Sequence, residues 1–343
     1  MGPISRGSGK GESLCDEGIQ FLNRRFNVHS SESFALLLTI DVGGSHVSAA
    51  LCALDDLRVV QLTDAPLGGV SSFEGFVDLL YLLGREVARS PRQLAGASLA
   101  VPGPFDCAAG VSLMKHKLQW LYGKDLRGAL AARFGWASNQ LCFLNDASAF
   151  LLGELNAGSA RGADRAVGLT LGTGIGSAFA INGQCVIKGK GVPPGGEIWN
   201  FPYRGATVED LISTRAARAE YLARTGKELE VKDIAAAAPD DAGARQVFEK
   251  LGCDLGHVIR DVIVPFRPDV VVVGGGIARS APLFLPVAQR HLQDLHVRVV
   301  ASTLFDRAQL IGAAAYWRDE RMQESAAPAA AEQAIAKNSI SAS

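Results

Sequence analysis

The chain has 343 residues, of which 48% are apolar and 20% charged, and its formal net charge is −1. That length suffices for two α/β lobes with separate cores, and the balanced charge gives no general attraction to nucleic acid or anionic lipid, so neither is expected as a partner. No apolar run approaches the roughly 20 residues a spanning helix needs, and the polar N-terminus has no signal-peptide core, so a cytoplasmic location is expected.

Residues 1–34 and 323–343 read as disordered tails. Between them, Ala35–Asp41 is a short apolar strand that ends at Asp41-Val42-Gly43-Gly44-Ser45, and His46–Ala53 is its hairpin partner. Leu57–Leu62 offers a third strand. Phe73–Arg89 has helical periodicity, with Phe76, Leu79, Leu80, Leu83 and Val87 on one face. Ala95–Val101 is a strand stopped by Pro102-Gly103-Pro104. Asp125–Phe134 reads as a helix, Leu141–Leu144 as a strand running into Asn145-Asp146, and Ala147–Asn156 as a helix.

The plan then repeats in outline. Ala166–Leu171 is a strand ending at Gly172-Thr173-Gly174-Ile175-Gly176, Ser177–Ile181 is its partner, and Asn182-Gly183 turns the chain into Gln184–Lys188. Helices are expected at Val208–Arg224 and Asp241–Val264, a buried strand at Val270–Val273 running into Gly274-Gly275-Gly276, and a closing helix at Gln309–Arg318. Two segments of one plan point to two related α/β lobes with a cleft between them. Six cysteines (Cys15, Cys52, Cys107, Cys142, Cys185 and Cys253) are widely spaced, which argues for free, mostly buried thiols and against a zinc clip or redox pair.

Glycine lets a backbone approach a bulky anion and present its N–H groups, and the hydroxyls of Ser45 and Thr173 add donors. Any one of the three glycine clusters alone reads more simply as a tight turn. Gly172–Gly176 leads into a strand and not a helix, which argues against a dinucleotide fold, and there is no GxxxxGK[ST] loop. Together with Asp41, the turns suit Mg²⁺, which takes a carboxylate, waters and phosphate oxygens.

Taken in order, these residues resemble the ROK family, the repressors and sugar kinases of the actin-like ATPase superfamily, from about Leu38 to Trp317. Asp41–Ser45 resembles its first phosphate motif, Leu171–Gly176 its second, and Val273–Ile277 its adenosine motif. Leu144–Ala147 with Gly153-Glu154 resembles its sugar and catalytic segment, and Gly196-Glu197-Ile198 the start of its ExGH sugar motif.

The resemblance implies a two-lobed actin-like ATPase (ribonuclease H-like) fold with a central cleft. The small lobe would take residues 35–157 plus 305–320 and the large lobe 158–304. It implies ATP-dependent phosphorylation of a hexose hydroxyl, glucokinase-like at the 6-position, with Asp146 as general base. Asn145 and Glu197 would bind the sugar, Gly103 would line its pocket, and Asp41 would act on Mg²⁺ through water. Gly43, Gly44, Ser45, Gly172, Thr173 and Gly174 would hold phosphates, and Gly274, Gly275 and Gly276 the adenosine end. A sugar hydroxyl is a poor nucleophile, so a carboxylate in hydrogen-bond reach is what the transfer needs. Read without the resemblance, Asp146 would be a helix N-cap.

The chain departs from the family at one place. Where most members carry ExGH and a CxCGxxGC zinc cluster, this sequence has Asn200 for the His and no cysteine, so no structural zinc is expected. Trp199, Phe201, Pro202 and Tyr203 supply apolar bulk that could hold the loop instead. Aligning Val208-Glu209 with the end of the cluster makes Glu209 a further sugar ligand, with Asn200 keeping a donor and an acceptor for a ring hydroxyl. Lys117 stands where many relatives have Asn and is read as facing water. The competing functions are a non-enzymatic sugar-sensing regulator and a polyphosphate-dependent glucokinase. Against the first, the roughly 35 mostly polar residues before the first strand are too few for a helix-turn-helix domain. Against the second, no Lys/Arg run would track a polyanion. Partners are a hexose and, at most, a second copy in a homodimer.

Overall fold

The computed structural model describes residues 35–88, 94–115 and 118–322. The two expected tails, Cys15 and Lys117 lie outside the described residues. β1 (Leu36–Val42) and β2 (His46–Ala53) pair antiparallel, and β3 (Val59–Pro66) adds outside β2. α1 (Phe73–Val87) begins at Ser72, whose hydroxyl oxygen accepts from the Gly75 amide at 3.0 Å, and it buries Phe76, Leu80, Leu83 and Val87 on one face. β4 (Leu94–Val101) runs parallel to β1. A small hairpin, β5 (Phe105–Asp106) and β6 (Val111–Ser112), leads to α2 (Leu126–Phe134). β7 (Leu141–Asn145) lies parallel to β4, and α3 (Asp146–Ala157) follows it without a loop.

The second half opens with the meander β8 (Arg165–Leu171), β9 (Ile175–Ile181) and β10 (Gln184–Val186). Next come the hairpin β11 (Pro202–Tyr203) and β12 (Ala206–Thr207) and the helices α4 (Val208–Leu211), α5 (Thr214–Thr225), α6 (Val231–Ala237) and α7 (Ala242–Val258). β13 (Val270–Gly274), α8 (Ala281–Arg290) and β14 (Arg298–Ala301) complete the second sheet and its cover, and α9 runs over residues 308–322. The strand orders are β3-β2-β1-β4-β7 and β10-β9-β8-β13-β14. Each sheet is thus an antiparallel meander joined through its first strand to two parallel strands, so the repeat seen in the sequence is a repeat of topology.

α1 and α2 cover one face of the first sheet, and α5, α7 and α8 one face of the second. α3 and α9 fill the space between. α3 packs Ala147, Phe150 and Leu151 against the second sheet, while α9 packs Leu310, Ile311, Ala314 and Trp317 against Leu37, Ala50 and Cys52 of the first. The two helices touch through glycines: a Cβ on Gly312 would fall 1.8 Å from the Ala149 oxygen, and one on Gly153 would fall 2.0 Å from the Ala308 oxygen. Only glycine permits that approach.

Two helical expectations change, and one helix has no counterpart in the sequence reading. The helix expected over Val208–Arg224 is two, because Ser213 adopts extended backbone and caps α5 by accepting from the Ala216 amide at 3.3 Å. That over Asp241–Val264 ends at Val258 and continues as a π-turn, Ile259–Ile263, before Pro265, which has no N–H to extend a ladder. α8 was hidden in the sequence by Pro282 and Pro286; the first sits in the opening turn, where proline is tolerated. Of the described cysteines all five are free, but only Cys52 is fully buried. Among the described residues no helix is long and apolar enough to cross a membrane.

Candidate active site

Parallel β1, β4 and β7 end at one edge of the first sheet, and β8 and β13 end at one edge of the second. Ligands of open parallel sheets bind beyond such carboxyl ends. Asp41 lies at the end of β1, Gly103 follows β4, Asn145 ends β7, Gly172 follows β8 and Gly274 closes β13. Strand register therefore gathers Asp41, Gly103 and Asn145 at one sheet edge and Gly172 and Gly274 at the other.

Asn145, not Asp146, is the N-cap of α3. Its Oδ1 accepts from the amides of Ala147 and Ser148 at 3.0 and 3.1 Å. Asp146 is the first helical residue, and its Oδ1 accepts from the Ala147 amide at 2.9 Å and from Asn145 Nδ2 at 3.0 Å. The capping explanation of Asp146 thus falls away. Two donors hold its Oδ1 at the positive end of the helix.

Asp41 is the electrostatic centre of the site. Burial, then the carboxylates of Asp146 and Asp306, push its pKa up to about 7. Asp306 had no signal in the sequence: it lies in a 3₁₀ turn, Phe305–Arg307, and reaches the site only because that turn follows β14 back between the sheets. It is ion-paired with Arg279, which lies in the turn after β13.

Gly103, Asn145 and Glu197 line one cavity of about 270 Å³, whose other walls include Phe105, Leu113 and Ile187. Gly195 and Gly196 turn the backbone to present Glu197, with φ of 71° and 72°. Ser177, which the sequence did not single out, locks this turn: its hydroxyl donates to the Gly196 oxygen at 2.7 Å and accepts from the Ile198 amide at 3.1 Å. Glu197 in turn accepts from Trp199 Nε1 at 2.9 Å. Cys107 and Cys185 also line the cavity, and burial pushes both thiols up to about 11, so they stay protonated.

Glu209 stands elsewhere. Its Oε2 accepts from the Ile175 amide at 3.2 Å, and a Cβ on Gly174 would fall 2.5 Å from that oxygen, so its carboxylate braces the second glycine turn. Asn200 is exposed beside the hairpin. Phe201 and Tyr203 pack against the large core as the loop's apolar anchors, but Trp199 is 45% exposed and Pro202 is exposed too. Glu154 faces away from the site: fully buried, it accepts from the Ser302 hydroxyl and, at 2.7 Å, from the Ser159 amide, tying both chain crossings between the sheets.

The glycine turns divide by role. The Gly43 amide donates to the His46 oxygen at 2.9 Å while Gly44 faces open space, with Ser45 exposed beside it. The Gly172 amide closes on the Gly174 oxygen at 2.9 Å and leaves Thr173 exposed at the tip. Gly274 is required by the Phe150 ring and Gly275 by the Leu171 backbone, each at 2.4 Å or less from a would-be Cβ, so only Gly276 opens outward. Among the described residues no group of three or more His, Cys, Asp or Glu side chains is placed to enclose a metal ion. Asp41 fits a cation that arrives with phosphate oxygens and water, since a positive charge would offset both the burial of its carboxylate and the neighbouring charges of Asp146 and Asp306.

The ROK family model matches residues 37–320. The chain belongs to the ROK family. A glucokinase of Thermotoga maritima is 27% identical over 312 residues, spanning 81% of this chain and 96% of its own. A ROK glucokinase of Streptomyces griseus, solved with glucose and AMPPNP, has a TM-score of 0.68 at 22% identity, covering 82% of this chain and 98% of its own. A ROK transcriptional regulator, described as a homologue of the E. coli MLC protein, reaches the same TM-score at 21% identity, covering 83% of this chain and 78% of its own. At such identities the ROK structures establish the two-lobed actin-like fold and no more.

Proposed function

We propose that this ROK protein is an ATP-dependent sugar kinase that phosphorylates a hexose hydroxyl, glucokinase-like at the 6-position, in the cytoplasm. The observation that carries the reading is the Asn145-Asp146 pair at the head of α3. Asn145 lines the acceptor cavity, and Asp146 is held beside it within electrostatic reach of Asp41. A sugar hydroxyl bound by Asn145 and Glu197 would give its proton to the Asp146 carboxylate as its oxygen attacks the γ-phosphorus in line with the leaving ADP oxygen. The turns at Gly43–Ser45 and Gly172–Gly174 would receive the phosphates from the two lobes, taken as 35–157 plus 305–320 and 158–304, and Gly276 the nucleoside end. Asp41 would orient a water on the nucleotide-borne Mg²⁺, whose chemistry is to offset phosphate charge. Lobe closure would exclude water and favour transfer over hydrolysis.

A sugar-sensing regulator is the second reading, kept because a regulator and a glucokinase match this fold equally well. A coupled assay decides, with Mg-ATP or polyphosphate as donor and glucose, mannose, fructose, allose, N-acetylglucosamine or N-acetylmannosamine as acceptor. ATP with at least one hexose should give ADP and a sugar phosphate in equal amounts. Sugar binding by calorimetry with no transfer from either donor would establish the regulator reading instead, and transfer from polyphosphate alone would change the donor.

The sequence alignment makes Glu209 a sugar ligand, but its contact with the Ile175 amide favours a phosphate-side role. Glu209→Ala should therefore raise the nucleotide KM by roughly fivefold, the scale of one charge-assisted hydrogen bond. A rise confined to the acceptor KM would return Glu209 to the sugar site.

A further inference from the structure

The β11–β12 hairpin is too short to hold itself. Each strand has two residues, and isolated two-stranded hairpins are marginal even when longer. Its turn residues are Arg204 and Gly205, with φ of 50° and 82°. A two-residue turn of this kind favours Gly or Asn at both positions, and an arginine is strained in the left-handed region. Backbone strain of this sort persists only where other contacts enforce it.

Those contacts are on α7 and its π-turn. Arg204 Nη1 donates to His257 Nδ1 at 3.2 Å, and Arg204 Nη2 lies 3.8 Å from Asp261 Oδ2. The Tyr203 hydroxyl donates to that same Asp261 oxygen, and the Arg204 guanidinium lies 5.1 Å from the centre of the Tyr203 ring. Burial and the Asp261 carboxylate push the Tyr203 phenol up to about 12, so it remains a donor. Burial and Arg204 hold His257 below its ordinary range, and since a guanidinium can only donate, Nδ1 is the acceptor of this pair. The π-turn is what widens the helix at Asp261.

What precedes and follows the hairpin gives the clip its use. The Glu209 amide donates to the Trp199 oxygen and the Val208 amide to the Phe201 oxygen, both at 3.1 Å, so the hairpin base is continuous with the segment that places Trp199 on Glu197. We propose that Tyr203, Arg204, His257 and Asp261 form a polar clip that positions the hairpin, and through Trp199 the Glu197 carboxylate, for acceptor binding. These are positioning residues, since none lines the acceptor cavity. The effect on acceptor binding rests on the sugar-kinase reading; the mechanical effect on the hairpin does not.

The test uses the full chain with Tyr203→Phe, Asp261→Asn and the double variant. Hydrogen exchange is followed at residues 199–207, and kcat and KM are measured for glucose and ATP. Each single variant should speed exchange of the hairpin amides about tenfold, the equivalent of one hydrogen bond to a charged group. The double variant should speed exchange by less than the two single effects combined, because both weaken the Tyr203–Asp261 contact while Asp261→Asn also weakens the pair with Arg204. The glucose KM should rise about fivefold, with kcat and the ATP KM within about twofold of wild type. Unchanged exchange in both single variants would overturn the clip. Faster exchange with an unchanged glucose KM would overturn its positioning role. If the wild type phosphorylates no sugar, the sugar-kinase reading fails while the exchange result still decides the clip. Tyr203→Phe removes one hydroxyl and keeps the ring packed on the large core, so it separates a lost clip from a lost fold.

Discussion

Asp146→Asn is expected to lower kcat by about 10²–10⁴-fold while leaving the acceptor KM within about threefold of wild type. The asparagine retains an oxygen for the Ala147 amide and the Asn145 side chain, so α3 should keep its start and the variant its melting temperature. What it removes is a carboxylate able to take the hydroxyl proton. A variant that retained a third of the wild-type kcat would show that Asp146 is not the base. Asp306 would then be the carboxylate to test, since it too acts on Asp41.

Asp41→Asn is expected to stabilise the unliganded protein at alkaline pH while abolishing most of its transfer activity. The Asp41 pKa is raised from 3.8 to about 7. The folded protein therefore holds a proton that the unfolded chain gives up, and the stability that this group contributes is complete below about pH 4 and is lost as pH rises through about 7. Above pH 7 the folded state carries a crowded carboxylate. The shift corresponds to roughly 4 kcal/mol at full strength, and about 2 kcal/mol after allowing for Asp41's partial exposure. In magnesium-free buffer, the variant should be about 2 kcal/mol more stable than wild type at pH 8 and equal to it at pH 4. Denaturant melts at the two pH values check this. Equal stability at pH 8 would mean that neither burial nor the charges of Asp146 and Asp306 penalise the Asp41 carboxylate in solution. Such a trade of stability for activity is expected where a site keeps like charges together for a ligand to neutralise.

The strands and the glycine turns were legible because their signals are local. β1, β2, β4 and β8 are apolar runs that end at Gly, Pro or Asp, and the strand-end motifs met in space because parallel strands share a polarity. Glu209, Asp306 and Ser177 were not legible in their roles. Each acts through a partner far away in sequence: Glu209 through Ile175, Asp306 through Asp41, and Ser177 through Gly196. Gly274 and Gly275 carry a second reason that the sequence does not show: Phe150 and the Leu171 backbone demand glycine there on packing grounds, whatever the turn binds. α8 was lost to its two prolines, and the break at Ser213 to an uninterrupted helical composition around it. The hairpin clip could not be foreseen, since nothing in the sequence brings Tyr203 to Asp261 across 58 residues.

A sugar kinase differs from a sugar-binding regulator and from an ATPase in where the γ-phosphoryl group ends up. Phosphorus NMR of the wild-type protein with Mg-ATP and glucose tests that most directly. The γ-phosphate resonance should be replaced by that of a sugar phosphomonoester, mole for mole with ADP, and Asp146→Asn should suppress the exchange of one for the other. Inorganic phosphate as the only new resonance, or an unchanged ATP spectrum with every sugar of the panel, would contradict it.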